Sequence, residues 1–285
     1  MKIHQLRTFI TVMEQGSISA AARQLALTPS TVSAHIKALE SEFGIQLFER
    51  SHAGVAPTQS GRALAPYARR TLDAASGFAN EAASRRGRIT GQLRLACSVA
   101  EASFSLSRTV ARLGEIYPEL ELNLSRGESA QIIAQVRDQE ADLGIVYGRV
   151  DAADLSARKL GQAQLIVALP AAWLSSGADP LAVISRRPWI QTGDDCPFQA
   201  LSRRFFDARK IDPPSLMRVD DNRTRREFII SGMGVSLLDR HEADHPAIAV
   251  FPGEALACET TLVVQAHRQF EPVISAARDV ILQAV

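Results

Sequence analysis

Two stretches of this 285-residue chain carry side chains at a spacing that could do chemistry. The first is His241-Glu242-Ala243-Asp244-His245. It has the pattern in which one α-helical turn presents two imidazoles to zinc and a glutamate acts as general base. The surrounding residues oppose that geometry. Pro246 follows at once and biases His245 away from helix, and a strand-like run resumes by about Ile248, leaving little helix to present both rings. The segment reads as a solvent-exposed helix end, with a zinc hydrolase kept only as an alternative. Gly-x-Ser-x-Gly, Gly-x-x-x-x-Gly-Lys and Gly-x-Gly-x-x-Gly patterns are absent, so no catalytic residues, metal site or cofactor are expected.

The second stretch is residues 18–43. Thr28 is suited to cap a helix and Pro29 to occupy its first position, where no amide donor is needed. In the helix that follows, Val32, Ile36, Leu39 and Phe43 share one face. The opposite face is Ser30, Ala34 and Lys37, flanked by Thr31 and Ser33. A small, hydroxyl-bearing face without carboxylates suits a major groove ~12 Å wide. Thr31 and Ser33 are the candidates for base edges and His35 and Lys37 for phosphate, with Ser30 on the same outer face among the DNA-binding candidates. Downstream, Gly44 to Gly61 reads as a short hairpin-like wing that sets Arg50 and His52 against the duplex backbone.

The elements that must position these residues follow from periodicity. Ile3 to about Phe48 reads as three short helices broken at Gly16-Ser17 and Thr28-Pro29, the last two forming a helix-turn-helix. Ser60 to Arg86 reads as one long helix. Its narrow stripe of Leu64, Ala68, Leu72, Ala75, Ala79 and Ala82 suits a partner helix and points to dimerisation, and Pro66 is placed to kink its first turns.

After Gly87 strands alternate with helices. Leu93–Cys97, Phe104–Tyr117, Leu120–Leu124, Ile132–Val136 and Leu143–Val146 form a βαβαβ unit, hence a parallel sheet. A second run has strands at Leu165–Leu169, Trp189-Ile190, Leu216–Val219 and Val235–Leu238, with helices at Phe198–Ala208 and Arg225–Ile230. Leu120–Val146 and Leu216–Leu238 share one layout, which implies two similar lobes and a cleft.

Ligands of such sheets sit beyond the carboxyl ends of the strands. There Ser98, Ser103, Ser129, Tyr147, Thr192 and Thr224 offer hydroxyls and Phe198 an apolar wall. Glu101, Asp194, Asp195, Asp220 and Asp221 also lie near these ends, beside Arg223, Arg225 and Arg226, so the ligand's charge stays open.

Composition agrees with an ordinary globular chain of about two domains, with 46% apolar and 22% charged residues. Residues 1–90 hold 11 Lys and Arg against 6 Asp and Glu, whereas the rest hold 21 against 25, so the amino-terminal third is the part suited to a polyanion. Cys97, Cys196 and Cys258 are odd in number and far apart, which argues for buried thiols rather than disulfides or a zinc ribbon. No membrane span is indicated. The start carries no apolar run behind a basic tip, so the protein is expected in the cytoplasm, against the alternative of an envelope solute-binding protein.

The amino-terminal motifs resemble the LysR-type transcriptional regulators. The matching residues are Leu6-x-x-Phe9, Gly16-Ser17-Ile18, Ala21-Ala22-x-x-Leu25, Val32-Ser33-x-x-Ile36-x-x-Leu39-Glu40, Gly44-x-x-Leu47-Phe48-x-Arg50 and Thr58-x-x-Gly61. More loosely, Tyr117-Pro118, Ala141–Ile145 and Ser231–Val235 resemble the family's effector-binding half. The chain departs from the family at Ala56-Pro57 and Gln59-Ser60, away from the recognition helix.

The resemblance implies a mixed α+β and α/β architecture. A winged helix-turn-helix would span 1–59 and a dimerising linker helix 60–88. A two-lobed, periplasmic-binding-protein-like effector domain would span 89–285, with lobe I about 89–163 and 265–285 and lobe II about 164–264. It also implies double-stranded DNA, a small metabolite, RNA polymerase and further copies of the chain, in dimers or tetramers, as partners.

Overall fold

Local capping sets the first three helices. The computed structural model describes all residues except 52–53, 175–177, 254 and 285, and only the backbone of Arg50 and Ser51. Helix α1 (Ile3–Gln15) ends at Gly16, whose φ of 58° is the left-handed cap that glycine tolerates. Ser17 Oγ then accepts the Ala20 amide to begin α2 (Ile18–Gln24). Thr28 Oγ1 accepts the Thr31 amide at 3.2 Å and Pro29 opens α3 (Pro29–Phe43). Leu6, Phe9, Val12, Ala22, Val32, Ile36 and Leu39 interlock as the core of this unit, so the apolar face expected of α3 is its inner face.

Strands β1 (Phe48–Ser51) and β2 (Gly54–Pro57) pair antiparallel as the wing. The Val55 amide donates to the Gly16 carbonyl at 3.0 Å and ties the wing to the end of α1. Glu40 Oε1 accepts the Leu47 and Phe48 amides at 2.8 and 3.4 Å, so this acid of α3 holds the entry to the wing. The long helix α4 (Gln59–Ser84) starts from the Thr58 cap. Gly61 permits the approach there: a Cβ at that position would lie 2.2 Å from the Leu47 carbonyl oxygen. Only the first half of the α4 stripe is used within the unit. Ala65 and Ala68 are buried and Leu64 and Leu72 half-buried against α1, whereas Tyr67 and Phe78 are 63% and 81% exposed.

The chain forms two compact units, Met1–Arg88 and Ile89–Val285. In the second, β3 (Gly91–Cys97), α5 (Leu106–Ile116), β4 (Leu120–Arg126), α6 (Ser129–Arg137) and β5 (Leu143–Tyr147) build the expected parallel βαβαβ lobe, in the order β5-β3-β4.

The chain then crosses on β6 (Leu155–Pro170) to α7 (Pro180–Arg186), β7 (Trp189–Gln191), α8 (Pro197–Arg209), β8 (Ser215–Arg218), α9 (Asn222–Ile230) and β9 (Ser236–Asp239). β7 pairs parallel with β8, and an isolated parallel bridge joins Trp189 to Val235 beside β9. The second lobe therefore repeats the third-first-second strand order of the first. After β10 (Ile248–Val250), β11 (Leu256–Gln265) returns, and α10 (Pro272–Gln283) packs on α5 and β3 of the first lobe.

The strand expected over Leu165–Leu169 is the far half of the 16-residue β6. Its near half pairs antiparallel with all of β11, and β11 also pairs with β5. Neither the near half of β6 nor β11 was expected: Arg158-Lys159, Gly161 and Gln162 interrupt the apolar alternation. Among the described residues no helix is long and apolar enough to cross a membrane.

Under the first lobe, Asp142 at the head of β5 is buried among arginines. Its Oδ2 accepts the Arg94 amide at 2.8 Å, and its Oδ1 takes Arg94 Nη2 and Arg268 Nη1 at 2.7 and 2.9 Å. Burial alone would raise the carboxyl's pKa, but Arg94 and Arg268 hold it below the usual range.

Candidate functional site

The outer face of α3 is exposed at Ser30, Ala34, Lys37 and Ala38, with Thr31 and Ser33 half-exposed beside it. Thr28 Oγ1 lies 2.8 Å from both Ser30 Oγ and Thr31 Oγ1, so three hydroxyls cluster at the start of the helix. His35 lies instead towards α1. Its Nδ1 is 2.9 Å from Thr8 Oγ1, and its ring centroid 4.8 Å from that of His4. The Thr8 hydroxyl donates to the His4 carbonyl, so Nδ1 must be the donor to Thr8 and the neutral ring keeps Nε2 as an acceptor. Burial and the neighbouring His4 push the His35 pKa down, favouring that neutral ring. Of the two wing residues expected to touch the duplex, Arg50 lies on β1 and His52 lies outside the described residues.

In the second unit the carboxyl ends of β3, β4, β7 and β8 surround a cleft with two adjoining hollows. One, of about 400 Å³, is lined by Ser98, Arg126 and Glu128 from the first lobe and by Asp221, Arg223 and Glu242 from the second. The other, of about 250 Å³, lies between Ser129 at the start of α6 and the segment Gly193–Cys196.

Most of the hydroxyls expected to face a ligand are already bonded inside the protein. Ser98 Oγ lies 2.9 Å from Ser129 Oγ and donates to the Ile145 carbonyl, and the Tyr147 amide donates to both serine hydroxyls. The Tyr147 hydroxyl accepts the Ala100 amide at 2.9 Å and reaches Asp239 Oδ2, as does the Ser103 hydroxyl. Burial pushes the Tyr147 phenol well above its ordinary pKa, so it stays a donor. Phe198 is fully buried, 4.9 Å from the Tyr147 ring. Thr224 donates its amide to Asp221 in the first turn of α9. Thr192 Oγ1 is buried with no hydrogen-bond partner among the described residues.

Of the charged groups about this cleft, Asp220, Asp221, Arg223 and Arg225 were expected near strand ends, whereas Arg126 and Glu242 were not. Arg225 is fully buried. Its guanidinium donates to the Val219 and Asp220 carbonyls and to Asn222, and lies 5.3 Å from the Phe198 ring centroid. Arg126 donates to the Val99 carbonyl, and Arg218 pairs with Asp194 at 3.0 Å. Glu128 occupies the N-cap of α6 but makes no capping bond with its side chain. Burial pushes its pKa up to about 7, against the opposing pull of Arg225 and with Asp220, Asp221 and Glu242 adding to the rise. Glu128 was placeable from sequence as the residue just beyond β4. Glu242 was legible only as part of the zinc pattern.

That pattern is not realised as a metal site. Arg240–Ala243 is a single 3-10 turn, His241 is exposed, and His245 Nδ1 accepts the Ala247 amide at 3.1 Å. Among the described residues no group of three metal-ligating side chains is close enough to hold an ion.

A helix-turn-helix with an exposed hydroxyl face and a wing, followed by a duplicated two-lobed α/β unit, defines a DNA-binding regulator with a small-molecule-binding domain. The family model described as bacterial regulatory helix-turn-helix protein, lysR family, matches residues 3–62, and that for the LysR substrate binding domain matches residues 86–285. The chain belongs to the LysR family of transcriptional regulators and is not an enzyme.

It is 26% identical to the HTH-type transcriptional regulator CysL of Bacillus subtilis (strain 168) over 237 residues, covering 82% of this chain and 79% of that protein. The fold is similar to that of CbnR, a LysR family transcriptional regulator, with a TM-score of 0.72 at 20% identity over 100% of this chain and 99% of the other. The structure of full-length CbnR complexed with target DNA gives a TM-score of 0.70 at 20% identity, covering both chains fully.

Proposed function

We propose that this regulator reads its operator with α3 and is controlled by a small effector held between the lobes of its second unit. Ser30, Thr31 and Ser33 contact base edges, while Lys37, with Arg50 and His52 of the wing, contacts phosphate. His35 has a weaker case for phosphate, since its neutral ring offers only an acceptor outward. The effector lies against Ser98, Ser129, Thr192 and Thr224, with Ser103, Tyr147 and Phe198 forming the wall behind. A second copy pairs along α4, where the far half of the stripe lies beside the exposed Phe78, giving a dimer that can pair again into a tetramer on DNA in the cytoplasm, within reach of RNA polymerase.

The observation that carries the effector reading is the cavity of about 400 Å³, large enough for a small metabolite and walled from both lobes. A ligand bridging both walls favours one lobe arrangement, and only such unequal affinity can alter how the protein sits on DNA. The test is selection of genomic fragments by the full-length protein at low ionic strength, followed by anisotropy titrations with the selected fragment and a random duplex. Preference for the selected fragment, lost in Ser33→Ala, is expected. Equal affinity for both duplexes would overturn the reading.

A further inference from the structure

Resting on the effector reading above, we propose that the ligand of this cleft is a small organic cation whose ammonium or guanidinium group seats between Glu128 and Glu242.

The polar groups of the cleft divide into those already used and those left over. An anion would need hydroxyls, amides or free guanidinium groups. Ser98 and Ser129 bond each other, and the Tyr147 amide is spent on both. The Arg225 guanidinium is enclosed and donates through Nη1 and Nη2 to two carbonyls and Asn222, with Nε left without a partner among the described residues. Arg126 donates to Val99, and Arg218 is paired with Asp194.

Donors remain as well, at Thr192 Oγ1, at Arg225 Nε and on the exposed Arg223 at the cavity's edge, so an anionic or neutral part of the ligand can be served there. The acceptors left over are the two carboxylates that face each other across the cavity. Glu128 stands where a side chain normally caps its own helix, yet makes no such bond. Glu242 reaches the same cavity from the opposite lobe, and its Oε2 is buried with no hydrogen-bond partner among the described residues. A buried acceptor without a donor is costly unless a ligand supplies one. Metal is the poorer occupant, because no group of three metal-ligating side chains is assembled among the described residues.

Electrostatics point the same way. Burial pushes both carboxyls up in pKa. Arg225, Asp220 and Asp221 face Glu128, while Asp239, Arg225, Arg126 and Arg226 face Glu242. The arginines do not offset the burial. A bound cation takes the place of the proton that burial holds on Glu128, through a charge-assisted hydrogen bond, and that proton goes to solvent.

The experiment is calorimetric titration of the full-length protein at pH 7 in two buffers of different ionisation heat. The probes are lysine, agmatine and putrescine, set against glutarate and butyrate. At least one amine is expected to bind with release of a proton. Its affinity should fall about tenfold or more in Glu128→Gln and in Glu242→Gln, and recover in part in Glu128→Asp. Thermal melting of each variant confirms that it is folded. Binding of the carboxylates in place of the amines would overturn the cation assignment and leave the effector reading standing. Amines that bind both Gln variants as tightly as the parent would overturn it too, by locating them elsewhere. Heat from neither set counts against both readings.

Discussion

The Tyr147 hydroxyl lies 3.3 Å from Asp239 Oδ2, which joins the end of β5 in one lobe to the end of β9 in the other. The same hydroxyl accepts the buried Ala100 amide. Tyr147→Phe therefore strands a main-chain donor and removes a tie between the lobes. Urea unfolding of the protein is expected to show a loss of about 1–3 kcal/mol. A change below a few tenths would mean that water or another group takes over both bonds.

Asp142 answers two guanidinium groups, one of them on the buried Arg268. Asp142→Ala removes one partner of Arg268, which keeps Glu271 at 2.8 Å, and strands the Arg94 amide. The expected cost is about 2–3 kcal/mol. The sign of the pH effect follows from the lowered pKa. The stabilisation is present above the unfolded-state pKa and is lost as pH falls through the folded one. Thermal melts of the parent should thus decline steeply in acid, and those of Asp142→Ala more gently.

Glu128 behaves oppositely. Its folded pKa is about 7, above its ordinary 4.5. Its contribution is fully present below pH 4.5 and is lost as pH rises through 7. Solvent screening of this half-exposed group limits the effect to about 1 kcal/mol. Glu128→Gln should flatten that part of the stability profile without ligand, as read by melting temperature from pH 5 to 8.

Lys37→Ala is expected to weaken binding to operator and random duplex together and to lower the salt slope by about 0.9, the signature of one lost phosphate contact. Ser33→Ala should lose discrimination instead, by no more than about 1–3 kcal/mol. Anisotropy titrations over a salt series separate the two.

Gly61→Ala places a methyl group 2.2 Å from the Leu47 carbonyl. A backbone shift at the start of α4 is required, with an expected cost of about 1–3 kcal/mol in the amino-terminal unit. Ala63→Gly, on the exposed face of the same helix, controls for flexibility and should cost about 1 kcal/mol at most.

The parts of the fold that the sequence made legible are those fixed by neighbours along the chain. Thr28-Pro29 announced the start of α3, and Val32, Ile36 and Leu39 announced its inner face. The lobe duplication was visible because each strand-helix-strand segment is local. What stayed hidden depends on distant encounters. Arg268 meets Asp142 across 126 residues, and Glu242 meets the cavity of Glu128 only once the second lobe has folded back. The serines were located correctly at strand ends, but their types gave no hint that Ser98 and Ser129 would satisfy each other. His35 was assigned by its place on a helical wheel, and Thr8 on α1 supplied the partner that periodicity cannot show.

Strands β6 and β11 belong to both lobes and are laced together from Leu155↔Gln265 to Leu165↔Leu256. The cleft is therefore hinged on a torsion bar rather than on slack tethers: one lobe can turn against the other only by wringing this ribbon. Between Thr260 and Thr261 the register skips Leu160, an irregularity that adds local twist. Under the proposed function, a molecule that bridges both walls would act on DNA binding through the twist of this ribbon.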